Sequence, residues 1–133
     1  MMRFIDTNVF MYAITAHPQF GMKARHILER IEAGEEAATS TLVLCEVAWV
    51  LEAMGRQGEI RSTLEKILSY RTLKVVGFDA DDLLVGFINM SAYSIDFNDG
   101  VNVAIMERNN IDEVYSNDER HLGKVDFLNL IFQ

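Results

Sequence analysis

Five carboxylate side chains from distant parts of the chain are placed where they could form one site. Glu46 is a single carboxylate inside the apolar run 41–51. Because burying an unpaired carboxylate is costly, such a group is usually neutralised, paired or bound to a metal. The other candidates each lie next to the end of a predicted element: Asp6, Asp96, Asp99 and Asp118. The pattern therefore predicts one carboxylate cluster.

The chemistry of such a cluster follows from its ligand atoms. Carboxylate oxygens suit hard divalent cations such as Mg²⁺ and Mn²⁺. Two such ions can bridge a phosphodiester, activate a water molecule and stabilise the leaving oxygen. The sequence contains neither a spaced Cys/His set for zinc nor a glycine-rich phosphate-binding loop. Metal-dependent phosphodiester hydrolysis is thus the chemistry that the residues favour.

Each carboxylate also has a structural explanation. Asp6, Asp96 and Asp118 could cap helices, and Asp99 could be a first-turn residue favoured by the helix dipole. Glu46 could instead form a buried ion pair with an arginine or lie at an exposed edge of its helix.

The elements that must position these residues alternate between strands and helices. Strands are predicted at 2–6, 37–39, 73–76, 113–116 and 127–131, and helices at 9–14, 19–33, 41–54, 59–70, 79–93 and 96–108. This alternation predicts a parallel sheet covered on both faces. Ligands of such sheets bind beyond the carboxyl ends of the strands, which is where Asp6 and Asp118 fall.

Composition narrows the class of protein. The 133 residues, half of them hydrophobic, fit one domain with a full core. The single cysteine, Cys45, is predicted to be a small core residue in a reducing compartment. The sequence has no apolar stretch that could span a bilayer and no apolar signal-peptide region, so a cytoplasmic protein without a membrane partner is expected.

The net charge of -8 disfavours tight non-specific nucleic-acid binding, which depends on Lys and Arg. Carboxylates that hold cations, however, no longer act as bare negative charge. Residues 55–74 are also locally cationic. This segment could grip a phosphate backbone, although a solvated helix face is the favoured interpretation.

Four motifs in order resemble those of the PIN-domain nucleases, in particular the small VapC-type ribonuclease toxins of toxin–antitoxin pairs. They are Ile5–Asn8, Ser40–Glu46, Asp96–Ala104 and Ile111–Asp118. The resemblance implies a single three-layer α/β domain over residues 1–133. Its central, mostly parallel, twisted sheet would be flanked by helices on both faces. It also implies an acidic pocket that binds Mg²⁺ or Mn²⁺.

The resemblance assigns roles by position. Four residues match the family's catalytic, metal-binding acids: Asp6, Glu46, Asp99 and Asp118. Asp96 matches an accessory ligand or cap, and three residues match groups that orient carboxylates or water: Thr7, Asn8 and Ser116. Gly100 stands where the family commonly has alanine, which could loosen that helix start. The stretch 117–121 lacks the usual Asp-x-Asp-Phe ending, and His121 is at most peripheral to the site.

The implied function is that of a metal-dependent endoribonuclease. It would act on an RNA substrate, form a homodimer and be blocked by a VapB-like antitoxin. The apolar residues Met11, Met22, Met54, Phe87 and Met90 could serve these interfaces or fill the core. The alternatives are an RNA-processing nuclease without an antitoxin and a non-catalytic binding module. An aspartyl phosphotransferase is least favoured, because Asn8 replaces the second aspartate that it would need.

Overall fold

A computed structural model describes residues 2–133, which form a five-stranded sheet and six α-helices. The strands are β1 (Arg3–Ile5), β2 (Ala37–Ser40), β3 (Leu73–Val76), β4 (Glu113–Tyr115) and β5 (Asn129–Ile131). The helices are α1 (Thr7–Ile14), α2 (Gly21–Glu32), α3 (Thr41–Ala53), α4 (Ile60–Leu68), α5 (Ala80–Tyr93) and α6 (Phe97–Arg108). The predicted ends of these elements agree with the observed ones to within two residues. Across the described residues, no helix has the length and apolar content needed to cross a membrane.

The sheet has the strand order β3-β2-β1-β4-β5, and every neighbouring pair is parallel. Strands β2 and β3 are therefore added in turn on one side of β1. The chain then crosses back, and β4 and β5 are added on the other side of β1. The order reverses between β1 and β4, so the connections that follow these two strands diverge and leave a crevice between them. The predicted parallel sheet is confirmed, and its switch point lies beside the ends of β1 and β4.

Both faces of the sheet are covered by helices. Phe4 and Ile5 are neighbours in β1, so their side chains point to opposite faces, and both are fully buried. All four residues of β2 are buried as well. A strand that is buried on both faces must lie between two layers of helices, which confirms the three-layer prediction.

Helix α3 turns a narrow stripe toward the core. Val43, Val47 and Leu51 recur every four residues, and all are fully buried. Cys45 and Trp49 lie on the other side of the helix and are exposed. The prediction that Cys45 is a core residue is therefore wrong, because the apolar run is longer than the face of α3 that packs inward.

Helices α5 and α6 cross at two glycines. A methyl group added to Gly100 would overlap the backbone carbonyl oxygen of Gly86. At position 100 the missing side chain therefore allows the two helices to approach closely, which explains the departure from alanine. Arg108 at the end of α6 holds the start of α5 through two 2.9 Å hydrogen bonds to the carboxylate of Asp82.

Part of the cationic segment 55–74 is paired with nearby acids. Arg56 lies 2.7 Å from Glu59, and Lys66 lies 3.4 Å from Glu32. Both pairs lie on the surface, as expected of a solvated helix face, and that interpretation of the segment stays a prediction.

Candidate metal centre

The crevice at the switch point opens into a cleft of about 530 Å³. The carboxylates named from the sequence all line it: Asp6, Glu46, Asp96, Asp99 and Asp118. Neutral, apolar and aromatic side chains complete the wall: Thr7, Asn8, Met11, Tyr12, Val50, Phe97, Asn98 and His121. The fold thus brings the whole predicted set of acids together, and their role as ligands stays a prediction.

Asp6 is fixed at the carboxyl end of β1 by two hydrogen bonds. The backbone N–H of Thr7 donates to Oδ1 and the hydroxyl of Ser116 donates to Oδ2, each at 2.8 Å. Asp6 is therefore the N-cap of α1 as well as part of the cleft wall. Burial raises the pKa of its carboxyl, while the hydrogen bonds from Ser116 and Thr7 oppose that rise.

The Ser116 hydroxyl joins the two strands that flank the crevice. Besides donating to Asp6, it accepts from the backbone N–H of Asp118 at 3.0 Å and from the Asn8 amide at 3.3 Å. The same Asn8 amide donates to the side-chain oxygen of Asn117 at 2.8 Å. Ser116 thus contacts both Asp6 and the backbone of Asp118, whereas Asn8 reaches the acids only through Ser116 and Asn117. Their role in orienting the acids stays a prediction.

Glu46 reaches the cleft from the interior of α3. Its Oε1 accepts from the Thr7 hydroxyl at 3.0 Å and from the Asn102 amide at 3.5 Å. Asn102 is held in turn by the Ser40 hydroxyl, which also caps α3. Burial raises the pKa of Glu46, and the nearby charge of Asp6 adds to the rise, which the hydrogen bond from Thr7 opposes. Among the described residues, Glu46 has a hydroxyl and amides as partners, not the arginine of a buried ion pair.

Two acids come from the start of α6. Asp96 occupies the N-cap position, but its side chain makes no capping hydrogen bond to the described residues. Asp99 lies in the first turn and faces the cleft. Burial, reinforced by the negative charges of Asp6, Asp118 and Glu46, raises the pKa of Asp99 to about 8. The cluster cannot hold all of its negative charge at neutral pH unless protons or a cation compensate it.

Asp118 and His121 lie together in the connection after β4. The Asp118 carboxylate accepts from the backbone N–H of His121 at 3.2 Å, so it closes a turn rather than capping an α-helix. The His121 ring nitrogen Nδ1 lies 3.2 Å from both Asp118 oxygens. The sequence placed His121 at the periphery, whereas the structure places its ring in the cleft wall.

Asn102 was not identified from the sequence, although a signal for it is present. It is one polar residue within the apolar stretch Val101–Met106 of α6, and it is buried. The argument that singled out Glu46 in α3 applies equally to an amide in such a stretch, because a buried polar group needs partners.

The donors present fit a hard divalent cation. Carboxylate oxygens predominate, and one ligand atom each from Asp96, Asp99 and His121 lie within 4.8 Å of one another. A cation would also stabilise the ionised form of Asp99, which burial and the charges of neighbouring carboxylates disfavour. Mg²⁺ and Mn²⁺ both match this ligand set.

Comparison with known proteins identifies the family. The family model for the PIN domain matches residues 3–128. The chain belongs to the PIN domain family. PIN nucleases generally use a divalent metal, and membership supports a nuclease activity for this chain. A search of curated proteins found no match to the chain.

Several solved structures share the PIN fold of this chain. VapBC2 from Rickettsia felis bound to a promoter DNA fragment matches with a TM-score of 0.73 and 21% identity, over 98% of each chain. Mycobacterium tuberculosis VapC20, described as a sarcin–ricin loop cleaving toxin, matches with a TM-score of 0.72 and 20% identity, over 87% of this chain and 89% of that chain. DNA-bound VapBC from Salmonella typhimurium matches with a TM-score of 0.72 and 14% identity, over 98% of each chain. At these identities the likeness concerns the fold.

Proposed function

We propose that this PIN domain protein is a metal-dependent endoribonuclease and the toxin of a VapBC-type toxin–antitoxin pair. One observation carries the nuclease part: five carboxylates line a single cleft at the switch point of a parallel sheet. The raised pKa of Asp99 supports it, because burial and the charges of neighbouring carboxylates both disfavour the ionised form, which a cation would stabilise. The fold shared with VapC20, a toxin that cleaves RNA, supports the choice of substrate.

In this proposal four acids hold the metal: Asp6, Glu46, Asp99 and Asp118. A divalent ion bound there supplies Lewis-acid chemistry, polarising the phosphodiester and lowering the pKa of a water molecule. The chain's own part is to fix the carboxylates. Thr7 orients Glu46, and Ser116 orients Asp6, each through a hydroxyl that donates to one carboxylate oxygen.

Charge explains why the cleft would need its ion to bind RNA. The protein carries a net charge of -8, and the cleft concentrates five of its acids. Without a cation this wall repels a phosphate backbone. When a cation is bound, it would attract the phosphate group at the position where the phosphodiester is cleaved. Substrate binding and catalysis would therefore depend on the same ion.

Cleavage of a mixed pool of structured RNAs tests the proposal. Purified protein is incubated with Mg²⁺, with Mn²⁺ and with EDTA, beside Asp6→Asn purified in the same way. We expect cleavage with a divalent ion, and its loss in EDTA and in the variant. Equal cleavage by the variant would show that Asp6 has no such role or that the activity is a contaminant. Failure of the folded protein to bind either ion would favour the non-catalytic alternative.

The antitoxin part of the proposal is supported by the structures that share the fold. The Rickettsia felis and Salmonella typhimurium proteins were both solved as VapBC complexes. An acidic cleft of this kind would accept a basic side chain from such a partner. A small protein encoded beside this chain should therefore inhibit cleavage when the two are coexpressed, and an Arg→Ala series in that protein should restore cleavage.

A homodimer is the remaining part of the proposal, and α5 supports it. The residues that α5 buries are small or polar, namely Asp82, Gly86 and Asn89. Its large apolar residues face outward, with Leu84 68% exposed and Phe87 60% exposed. Apolar surface of this extent usually marks an interface. In a twofold-symmetric dimer the same surface of each copy packs against itself. The exposed apolar face of α5 could therefore pack against α5 of a second copy of this chain.

The Phe87→Glu substitution tests this interface. We expect the wild-type protein to sediment as a dimer at micromolar concentration and the variant as a monomer, because a buried unpaired carboxylate opposes association. Met22→Glu is the matched control, since Met22 is also exposed but lies on α2. A wild-type monomer, or a Phe87→Glu dimer as stable as the control, would contradict an α5 interface.

A further inference from the structure

The imidazole of His121 occupies a position that the family resemblance does not explain. Its Nδ1 faces two acids of the cleft, at 3.2 Å from both oxygens of Asp118 and 4.0 Å from Oδ2 of Asp99. The backbone N–H of His121 already donates to Asp118. The turn is thus held by the main chain, and the ring is not needed to close it.

The separations around Nδ1 match those between ligand atoms on one ion. In an octahedral site with bonds of about 2.1 Å, neighbouring ligand atoms lie about 3.0 Å apart and opposite ones about 4.2 Å apart. The distances from Nδ1 to Asp118 and Asp99, 3.2 Å and 4.0 Å, fall within this interval. One ligand atom each from Asp96, Asp99 and His121 lie within 4.8 Å of one another, so two carboxylates and the ring are close enough to share one ion.

We infer that His121 Nδ1 is a ligand of the divalent ion held at Asp99 in this cleft, and that it biases the site toward Mn²⁺ over Mg²⁺. The inference rests on the proposed metal-dependent function and deepens it. Mg²⁺ is bound by oxygen and gives up water reluctantly, whereas imidazole nitrogen is a better ligand for first-row transition ions. One nitrogen among the carboxylates would therefore select between two ions that an all-oxygen site treats alike.

The alternative, in which His121 only orients Asp118, requires a different tautomer of the imidazole ring. If His121 only orients Asp118, Nδ1 carries a proton and donates it to a carboxylate oxygen. If it binds the ion, Nδ1 offers its lone pair and the proton resides on Nε2. A spectroscopic measurement of nitrogen bound to the ion separates these arrangements without reference to activity.

The experiment uses the metal-free full chain loaded with Mn²⁺ and examined by pulsed electron paramagnetic resonance. We expect nitrogen hyperfine coupling in the wild-type spectrum and its loss in His121→Gln. His26→Gln is the control and should keep the coupling, since His26 is an exposed residue of α2. By calorimetry, His121→Gln should weaken Mn²⁺ binding by about tenfold or more. Mg²⁺ binding should change much less.

Each outcome decides a separate point. Mn²⁺ binding without nitrogen coupling, or coupling that persists in His121→Gln, would overturn the role of His121 and leave the carboxylate site intact. Failure of the wild-type protein to bind Mn²⁺ or Mg²⁺ would overturn the proposed function and the inference together. Circular dichroism checks the fold, and His121→Asn gives a second variant if His121→Gln does not fold.

Discussion

The Asp99→Asn substitution is expected to lower RNA cleavage by about a thousandfold or more, because it removes a ligand charge from the reacting centre. The same substitution should stabilise the metal-free protein at pH 7 by on the order of 4 kcal/mol, because pH 7 lies about three pH units above the ordinary pKa of Asp99 and each is worth about 1.4 kcal/mol. In the folded protein the pKa of Asp99 is raised to about 8 by burial and by neighbouring carboxylates, so the ionised side chain opposes folding. Asparagine has the same shape and no charge to lose.

A loss of activity together with a gain in stability would distinguish a functional residue from a structural one. A helix-capping aspartate would lose stability on substitution, since capping stabilises the folded state. Urea unfolding in EDTA gives the stability, and initial rates in Mn²⁺ give the activity. Asp81→Asn is the matched control, because Asp81 is exposed in the first turn of α5 and does not line the cleft. A destabilised and fully active Asp99→Asn protein would contradict the proposed role.

The stability of the metal-free protein should fall as the pH rises from about 4 to about 8. The pKa of Asp99 is 3.8 in its ordinary environment and about 8 in the folded protein. Between these values the folded state binds a proton that the unfolded state has released, so raising the pH favours unfolding. The raised pKa values of Asp6 and Glu46 act in the same direction.

Other groups should not mask this trend. A hydrogen bond from Arg108 lowers the pKa of Asp82, so that its stabilising effect is lost only below about pH 4. Saturating Mn²⁺ should reverse the trend, because the ion binds the deprotonated carboxylates. Thermal unfolding from pH 4 to 9, with EDTA and with Mn²⁺, provides the measurement. A metal-free protein that gains stability from pH 5 to 8 would contradict the raised pKa values of the cleft carboxylates.

The elements of this fold were predictable because their signals are local. Helix caps, glycines after helices and apolar periodicity each lie within a few residues of the boundary that they predict. Ser40 and Asp79, for example, are the N-caps of α3 and α5. The position of the cleft was predictable from a more general rule, since ligands of parallel sheets bind at the carboxyl ends of strands. Asp6 and Asp118 follow the strands that flank the switch point.

The features that could not be predicted depend on contacts between distant segments. Apart from Glu46, the run 42–51 around Cys45 is apolar, so the sequence does not reveal which side of α3 faces the core. Likewise, the outward apolar face of α5 cannot be recognised before its buried face is known. The place of His121 in the cleft depends on the course of the turn after β4 and on the position of Asp99 in α6.

The central position of β1 has a consequence for the order of events during synthesis. The hydroxyl that fixes Asp6 belongs to Ser116, 110 residues later, and β1 lacks one of its two neighbours until β4 has been made. Contacts at such long separations in sequence form late and slowly. The first and last acids of the cleft are therefore brought together only after β4 has been made. The nuclease activity proposed for this chain would thus be absent from the earlier part of the polypeptide alone.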